Sequence, residues 1–355
     1  MAQLRIFILL YLTVSLNYGQ QTELKTEVSL TFEENYRVPG VSIRAIEVDQ
    51  NGNLWFAGSS GRFGKIIDQK LHLDSLSHEG KSPSFRALAV SDKKTFALSI
   101  ENPALLYKLP EPGMGESPAL VYKEEHPGVF YDAMTFLNPE LGIAMGDPIE
   151  GCLSILISND GGQTWLKQPC SELPPTFAGE AGFAASDTNI AFVEDHIWIG
   201  TGGAKARVFH SPDAGASWEV FDTPLIQGGT MTGIYSLDFA DELHGIAMGG
   251  NWDKKQDFTE TKAVTQDGGK TWSLISNGDL PGYISCVQYV PESQGKEVLA
   301  CSTEGIYFSG DRGTSWVQVS EKGFYSLRFA DDENFWVSGN NQIAKVKIKH
   351  TKVTE

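Results

Sequence analysis

The chain has 355 residues, of which 41% are hydrophobic and 21% are charged, and its formal net charge at pH 7 is −17. This composition is typical of a globular protein with enough apolar side chains to fill a large core. Nucleic acids and anionic membranes repel an acidic protein, so neither is expected as a partner. Beyond the N-terminal segment the sequence has no apolar stretch long enough to span a membrane, so no membrane insertion is expected.

Residues 1–20 have the pattern of a secretory signal peptide. Arg5 precedes an apolar stretch over residues 6–16, and a polar segment ending in Gly19 and Gln20 follows. The apolar stretch is short for a transmembrane helix, and polar residues come directly after it. We therefore expect cleavage near Gly19 and Gln20 and export of the chain, either to the periplasm or out of the cell. An uncleaved anchor is the alternative.

The remaining sequence predicts an all-β fold built from repeats. Short apolar strands recur, and each is followed by a second strand that ends in small residues. The recurring first strands are residues 42–46, 84–88, 130–134, 182–186, 234–237, 284–287 and 324–327. These repeats predict a seven-bladed β-propeller of four-stranded blades that occupies residues 21–355 as a single domain.

The last predicted blade lacks a fourth strand at the end of the chain. Residues 27–32 alternate between apolar and polar side chains and have no other place in the repeat pattern. We expect this N-terminal segment to form the missing outer strand of the last blade. Such pairing of the two chain ends would close the ring and hide edges that otherwise promote aggregation.

A second repeated pattern marks turns in four of the repeats. It reads [Ser/Thr]-x-Asp-x-Gly-x-[Ser/Thr]-Trp and occurs at residues 158–165, 211–218, 265–272 and 309–316. The Asp can accept hydrogen bonds from turn amides, the Gly can adopt a positive φ, and the Trp can pack between sheets. We expect a structural role, away from the binding surface, for the four carboxylates: Asp160, Asp213, Asp267 and Asp311.

This turn pattern resembles the Asp-box, also called the bacterial neuraminidase repeat. The resemblance implies a β-propeller in which the box connects the third and fourth strands of a blade. It implies no single activity, because Asp-boxes occur in proteins with different functions.

A closer resemblance is carried by residues 130–134, 146–148, 179–186, 201–204 and 206–209. These segments look like those of secreted bacterial proteins of the photosystem II stability/assembly factor-like group. The photosynthetic members are seven-bladed Asp-box propellers with an arginine patch, and they assist assembly without catalysis. The resemblance does not carry the photosystem over as a partner of this chain.

The four cysteines form two pairs, each placed symmetrically about a predicted turn. Cys152 and Cys170 are nearly equidistant from the centre of the 158–165 turn, and Cys286 and Cys301 flank a turn near residues 291–295. Both pairs can form disulfides in an exported chain. We expect the Cys152–Cys170 bond. For Cys286 and Cys301, a disulfide and two buried thiols both remain open.

Candidate binding residues come from strands and loops that a propeller brings to one mouth of its central channel. Aligning the first strands places six residues at one level of the channel: Arg44, Arg86, Asp132, Tyr235, Ser285 and Tyr325. Loops at the same mouth add Asp147, Glu180, Arg207 and Trp252. We expect them to bind an anionic small molecule, a glycan or a protein partner. Filling of the channel and formation of turns are the structural alternatives.

The sequence shows no complete catalytic set, although Asp132, Asp147, Glu180 and Tyr325 are candidates. A glycoside hydrolase or lyase would use the carboxylates, and a sialidase-like enzyme would use a tyrosine nucleophile. The sequence has no dinucleotide fingerprint, haem motif or metal-ligand spacing, so no cofactor or metal is expected. We therefore favour a monomeric binding or assembly module, with a carbohydrate-active enzyme as the alternative.

Overall fold

The computed structural model describes residues 24–92 and 94–354. The predicted signal peptide, residues 1–20, lies outside them. In the described part, no helix is long and apolar enough to cross a membrane.

The described part of the chain contains two short 3-10 helices, Cys170–Glu172 and Trp252–Lys254, and 28 strands. The strands are β1 (Leu24–Val48), β2 (Leu54–Gly58), β3 (Arg62–Ile67), β4 (Lys70–Ser75), β5 (Phe85–Ser91), β6 (Lys94–Ser99), β7 (Ala104–Leu109), β8 (Ala119–Glu124), β9 (Tyr131–Phe136), β10 (Gly142–Ile149), β11 (Cys152–Ser158), β12 (Leu166–Lys167), β13 (Glu180–Ala181), β14 (Ile190–Val193), β15 (His196–Gly200), β16 (Gly202–Gly203), β17 (Arg207–Ser211), β18 (Glu219–Asp222), β19 (Thr232–Phe239), β20 (Gly245–Asn251), β21 (Lys262–Thr265), β22 (Ser273–Leu274), β23 (Cys286–Tyr289), β24 (Val298–Ser302), β25 (Gly305–Ser309), β26 (Val317–Ser320), β27 (Ser326–Phe329) and β28 (Asn334–Thr354).

The strands of the described chain form six antiparallel sheets, which are the blades of a propeller. Four sheets have four strands: β5 to β8, β9 to β12, β14-β15-β17-β18, and β23 to β26. Two sheets have six strands: β27-β28-β1-β2-β3-β4 and β13-β16-β19-β20-β21-β22. The prediction of an all-β propeller is confirmed, but the prediction of seven four-stranded blades is wrong.

The blade count differs because the two ends of the chain share one continuous sheet. Strand β1 pairs with β28 over its first part, with Leu30 opposite Ile348, and then pairs with β2, with Ile46 opposite Phe56. A strand of 25 residues therefore joins what the repeat pattern divides into a first and a last blade. The pairing of the N-terminal strand with the end of the chain is confirmed, and it leaves no open edge between the two termini.

A predicted first strand at residues 182–186 is also absent from the structure. The inner strand of that sheet is β14, and residues 182–188, here called the central segment, cross the channel without strand pairing. The carboxyl group of Asp187 accepts hydrogen bonds from the backbone N–H groups of Leu88 at 2.8 Å and Met134 at 2.9 Å. The Arg328 guanidinium donates to the Asp187 carbonyl at 2.9 Å. The central segment thus connects inner strands from several sheets.

Neighbouring sheets are held together by aromatic and aliphatic side chains packed between them. Phe96, Phe136 and Trp165 form one such contact, with ring centroids 5.4 to 6.3 Å apart. Trp198 stacks on Phe239 at 3.7 Å in another. Burial of these large apolar surfaces is the main favourable contribution to the free energy of folding.

The four Asp-box sequences adopt one hydrogen-bonded geometry. In each box, the first hydroxyl donates to Asp Oδ1 at 2.8–2.9 Å, and the hydroxyl four residues after the Asp donates to Oδ2 at 2.6–2.7 Å. The backbone N–H of that later residue also donates to Oδ1, at 2.7–2.9 Å. The fixed Gly has φ between 79° and 89°, a conformation that other residues adopt only with strain. Each box is therefore a turn closed by its own side chains.

The cysteines differ in state. Cys152 at the start of β11 and Cys170 in the short helix form a disulfide, with Cα atoms 5.6 Å apart. Cys286 and Cys301 stand directly opposite each other on β23 and β24, and both are buried free thiols.

The Asp-box geometry leads to a prediction about stability. Asp213→Ala removes the acceptor of three hydrogen bonds and should lower the free energy of unfolding by roughly 1 kcal/mol, because the carboxylate is mostly exposed and water weakens each bond. Urea unfolding of the purified variant measures this change. Asp222→Ala, an exposed position on β18, is the control, and equal stability of the two variants would contradict a structural role for the box.

Candidate functional site

One mouth of the channel contains a cavity of about 330 Å³, here called the mouth cavity. Arg44, Arg86 and Tyr235 project into it from the inner strands β1, β5 and β19, and Trp252 comes from the short helix after β20. The central segment forms part of its wall. The complete lining is Arg44, Arg86, Phe130, Asp147, Ala181, Gly182, Phe183, Ala184, Ala185, Thr230, Met231, Tyr235, Trp252 and Tyr283.

The two arginines of this cavity are held side by side. Arg44 Nη1 donates to the carbonyl of Ala185, and Arg86 Nη1 donates to the carbonyl of Ala184, both at 2.9 Å. Within residues 24–92 and 94–354, neither arginine forms an ion pair, and the buried Nε of each has no hydrogen-bond acceptor. Burial lowers the pKa of both groups, and the neighbouring Arg44 charge helps to lower that of Arg86 to about 10. Both guanidiniums remain charged at neutral pH and retain free donors.

Aromatic rings surround the arginines. Phe183 and Tyr235 are stacked with centroids 4.0 Å apart, and Tyr283 contacts both Tyr235 and Trp252 edge to face. Tyr283 is only 1% exposed, and its hydroxyl has no hydrogen-bond partner within the described chain. The walls are therefore largely carbon, with few polar groups available to a ligand.

Two carboxyl groups lie close to the arginines but in different surroundings. Asp147 lines the cavity, and its Oδ1 accepts from the Gly182 N–H at 2.8 Å. Burial raises the pKa of Asp147 to about 6. Asp132 is 0% exposed beneath Gly182, and in the described structure neither of its oxygens has a hydrogen-bond partner. Burial and then the adjacent Asp147 raise the pKa of Asp132 well above its usual range, which favours the neutral acid.

Glu180 and Arg207 form an ion pair outside the cavity lining. Arg207 donates to both Glu180 oxygens, from Nε at 3.0 Å and from Nη2 at 2.6 Å, and the Thr201 hydroxyl donates to Oε1 at 2.7 Å. Phe177 donates its backbone N–H to Oε2 at 2.9 Å. The carboxylate is completely buried. These two predicted ligand-binding residues therefore bind each other and hold the loop at residues 177–180.

Tyr325 and Ser285 also lie outside the cavity lining. The guanidinium carbon of Arg44 is 4.0 Å from the centroid of the Tyr325 ring, a cation–π contact that covers the ring. The Ser285 hydroxyl donates to the Tyr325 carbonyl at 2.7 Å. Both residues support the channel wall behind Arg44.

The opposite end of the channel has a smaller, polar cavity of about 140 Å³. Asp187 and Thr188 line it, whereas residues 181–185 line the mouth cavity. The central segment therefore separates the two cavities. Among the described residues, no group of three or more His, Cys, Asp or Glu side chains is placed to hold a metal ion.

Of the predicted ligand-binding residues, the structure brings Arg44, Arg86, Asp147, Tyr235 and Trp252 together in one cavity. Nine of the fourteen lining residues were not predicted, and the four with large side chains are Phe130, Phe183, Met231 and Tyr283. A signal was available for two of them. Phe130 and Tyr283 stand three residues before Ala133 and Cys286, which occupy the same position when the first strands are aligned. Phe183 was not recognised as a lining residue because residues 182–186 were assigned to a strand.

Comparison with known proteins supports the fold. A family model described as "Two component regulator propeller" matches residues 37–60. No curated protein matches the sequence. The solved structure "YCF48 bound to D1 peptide" is similar with a TM-score of 0.62 and 13% identity, over 91% of this chain and 97% of that one.

Two further similar structures are "Crystal structure of RRP9 WD40 repeats" and "Structure of U3-55K". Each has a TM-score of 0.60, with identities of 12% and 13%. The first covers 92% of this chain and 100% of its own, and the second covers 90% and 98%. The chain is therefore a β-propeller similar in structure to YCF48 and to WD40 proteins, and at these identities the likeness concerns the fold alone.

The packing of the central segment predicts the effect of one added methyl group. A Cβ at Gly182 would lie 2.3 Å from Oδ2 of Asp132, a fully buried side chain, so the two residues would have to shift apart. Gly182→Ala should lower the free energy of unfolding by about 1–3 kcal/mol in urea denaturation. In the control Gly128→Ala, the nearest atoms would be 3.5 Å away. Equal stability of the two variants would show that the segment is not packed as described.

The raised pKa of Asp147 predicts a pH-dependent effect. Its ordinary value is 3.8 and its folded value is about 6, so its contribution to stability is complete below pH 3.8 and is lost as pH rises through 6. Asp147→Asn should match the native protein at pH 4 and exceed its free energy of unfolding by about 1–3 kcal/mol at pH 8. Asn can still accept the Gly182 hydrogen bond.

Asp213→Asn provides a control of opposite sign for this measurement. Hydrogen bonds from Ser217 lower the pKa of Asp213 despite the effect of burial, so its contribution is present at neutral pH and is lost on acidification. This variant should be less stable than the native protein at pH 8, and the difference should shrink at low pH. A stability difference for Asp147→Asn that does not change with pH would contradict the burial of that carboxylate.

Proposed function

We propose that this protein is an exported, monomeric, non-catalytic binding module whose ligand occupies the mouth cavity. The observation that carries the proposal is the pair of neighbouring guanidiniums with free donors beside an aromatic wall. A preformed, largely apolar cavity with a few convergent polar groups is the usual form of a ligand site. The similar YCF48 structure is that of a propeller bound to D1 peptide, which agrees with a propeller used for binding. An anionic small molecule, an anionic glycan and an acidic segment of a protein all fit this level of description.

The arrangement of the acids supports binding over carbohydrate hydrolysis. A glycosidase of the common type needs two carboxyl groups on either side of the scissile bond. Glu180 is bonded to Arg207, and Asp132 lies beneath the backbone of the central segment. Tyr325 is covered by Arg44. Asp147 alone lines the cavity, so a catalytic pair is not assembled by the described residues.

Export of the chain is supported by two features. Residues 1–20 have the composition of a signal peptide, and disulfides such as Cys152–Cys170 persist mainly in oxidising compartments. Expression with residues 1–20 intact, followed by mass determination of the exported product, tests this part. Retention of the whole sequence in the cytoplasm would contradict it.

A defined panel of peptides, aromatic acids and glycans tests the binding function. We expect saturable binding, measured by titration calorimetry, and a loss of affinity of about tenfold or more in Trp252→Ala, which removes one aromatic wall. Leu166→Ala, an exposed position on β12 outside the cavity lining, should bind like the native protein.

The carbohydrate-active alternative has a separate readout. Turnover of a glycan that is abolished by Asp147→Asn would make the protein an enzyme and overturn the proposal. Binding that survives Trp252→Ala unchanged would place the ligand outside the mouth cavity.

A further inference from the structure

We propose that the mouth cavity selects a ligand with one carboxylate attached to a flat apolar group. This proposal rests on the binding function proposed above and specifies the chemistry of its ligand. Both a free aromatic acid and the C-terminus of a peptide ending in an apolar residue present this chemistry.

The charge of the cavity wall favours an anion. Arg44 and Arg86 donate to consecutive carbonyls of the central segment, so the two cations are neighbours in a largely buried wall. Neighbouring buried cations repel each other and have lost much of their hydration. An anion that accepts from both guanidiniums would remove this cost, and a carboxylate matches the planar geometry of their N–H groups.

The nearby acids do not perform this role themselves. Asp147 Oδ1 already accepts from the Gly182 N–H, and neither Asp147 nor Asp132 is within salt-bridge distance of either arginine in the described chain. The arginines are thus positively charged groups kept free in a protein whose net charge is −17. A neutral ligand would leave both guanidiniums without an ion-pair partner, so recognition should depend strongly on the carboxylate.

The rest of the lining favours a flat apolar group. Nine of the fourteen lining residues are apolar or aromatic: Phe130, Ala181, Phe183, Ala184, Ala185, Met231, Tyr235, Trp252 and Tyr283. The remainder of the ligand must therefore be apolar, and the stacked rings favour a flat group. A sugar acid carries a hydroxyl on most of its carbons, and each hydroxyl buried without a partner costs free energy. Sugar acids are therefore disfavoured.

The depth of the cavity limits the size of the ligand. The central segment separates the mouth cavity from the cavity at the other end of the channel, and about 330 Å³ holds one ring system with its carboxylate. A chain cannot pass through the channel while this segment is in place. A peptide can therefore place its terminal side chain and terminal carboxylate in the cavity but cannot thread through the channel.

Titration calorimetry of the full mature chain with matched probes tests the proposal. The probes are indole-3-acetate and N-acetyl-tryptophan, their neutral amides, and glucuronate. Each acid should bind about tenfold or more tightly than its amide, and glucuronate should bind no better than the amides. This comparison uses the native protein and does not depend on the folding of a variant.

Two variants then locate the carboxylate. Arg86→Gln should shrink the affinity ratio of indole-3-acetate to indole-3-acetamide, because only Arg44 then remains to bind the carboxylate. Circular dichroism establishes that the variant is folded. Arg312→Gln, an exposed arginine on an Asp-box turn, should leave the affinity unchanged. A tripeptide with a C-terminal Trp that binds more tightly than N-acetyl-tryptophan would identify a peptide C-terminus as the source, and equal affinity would identify a free acid.

The outcomes separate this inference from the function on which it rests. If amides bind as tightly as acids and Trp252→Ala weakens both, the carboxylate proposal is overturned and the binding function stands. If the acids bind but neither Arg86→Gln nor Trp252→Ala weakens them, both proposals fail. If glucuronate binds best, the ligand class proposed here is wrong while the cavity remains the binding site.

Discussion

The structure depends on the hydrogen bonds that anchor the central segment to the inner strands. One carboxyl group, that of Asp187, accepts backbone N–H groups from β5 and from β9, and Arg328 on β27 donates to the carbonyl of the same residue. Backbone N–H groups of these inner strands thereby gain hydrogen-bond acceptors at the channel. The same segment offers the carbonyls of Ala184 and Ala185 to the two arginines. The central segment therefore both closes the channel and orients the two arginines.

The outer parts of the molecule keep this arrangement in place without entering the cavity. The pairing of β1 with β28 closes the ring, so inner strands distant in sequence converge on one axis. The Asp-box turns hold outer strands through side-chain bonds made within each turn, such as those of Asp213. Hydrogen bonds within each turn thus hold the outer strands in place, and closure of the ring brings Arg44 and Arg86 together. A site built on such strands is more precisely positioned than one built on loops.

Features that depend on residues close together in the sequence were predicted, and features that depend on contacts between distant residues were not. The propeller fold and the pairing of the N-terminal strand were predicted, because both depend on repeated local patterns and alternation. Arg44 and Arg86 were grouped correctly, because they directly precede Ala45 and Ala87, which occupy the same position when the first strands are aligned. The central segment was mistaken for a strand, since its small and apolar residues imitate one. The Glu180–Arg207 pair spans 27 residues of sequence, and no local pattern showed that these two charges would satisfy each other. The blade count failed because strand continuity between the two termini is a property of the folded sheet.

A crystal structure of the protein with indole-3-acetate tests the central claim most directly, namely that the central segment closes the channel and presents two uncompensated arginines to the mouth. We expect carboxylate oxygens within about 3 Å of guanidinium nitrogens of both Arg44 and Arg86. We also expect the ring to lie against Trp252 and residues 182–188 to be unmoved. A ligand in the cavity at the opposite end of the channel, or a central segment displaced so that the channel is open, would contradict this claim.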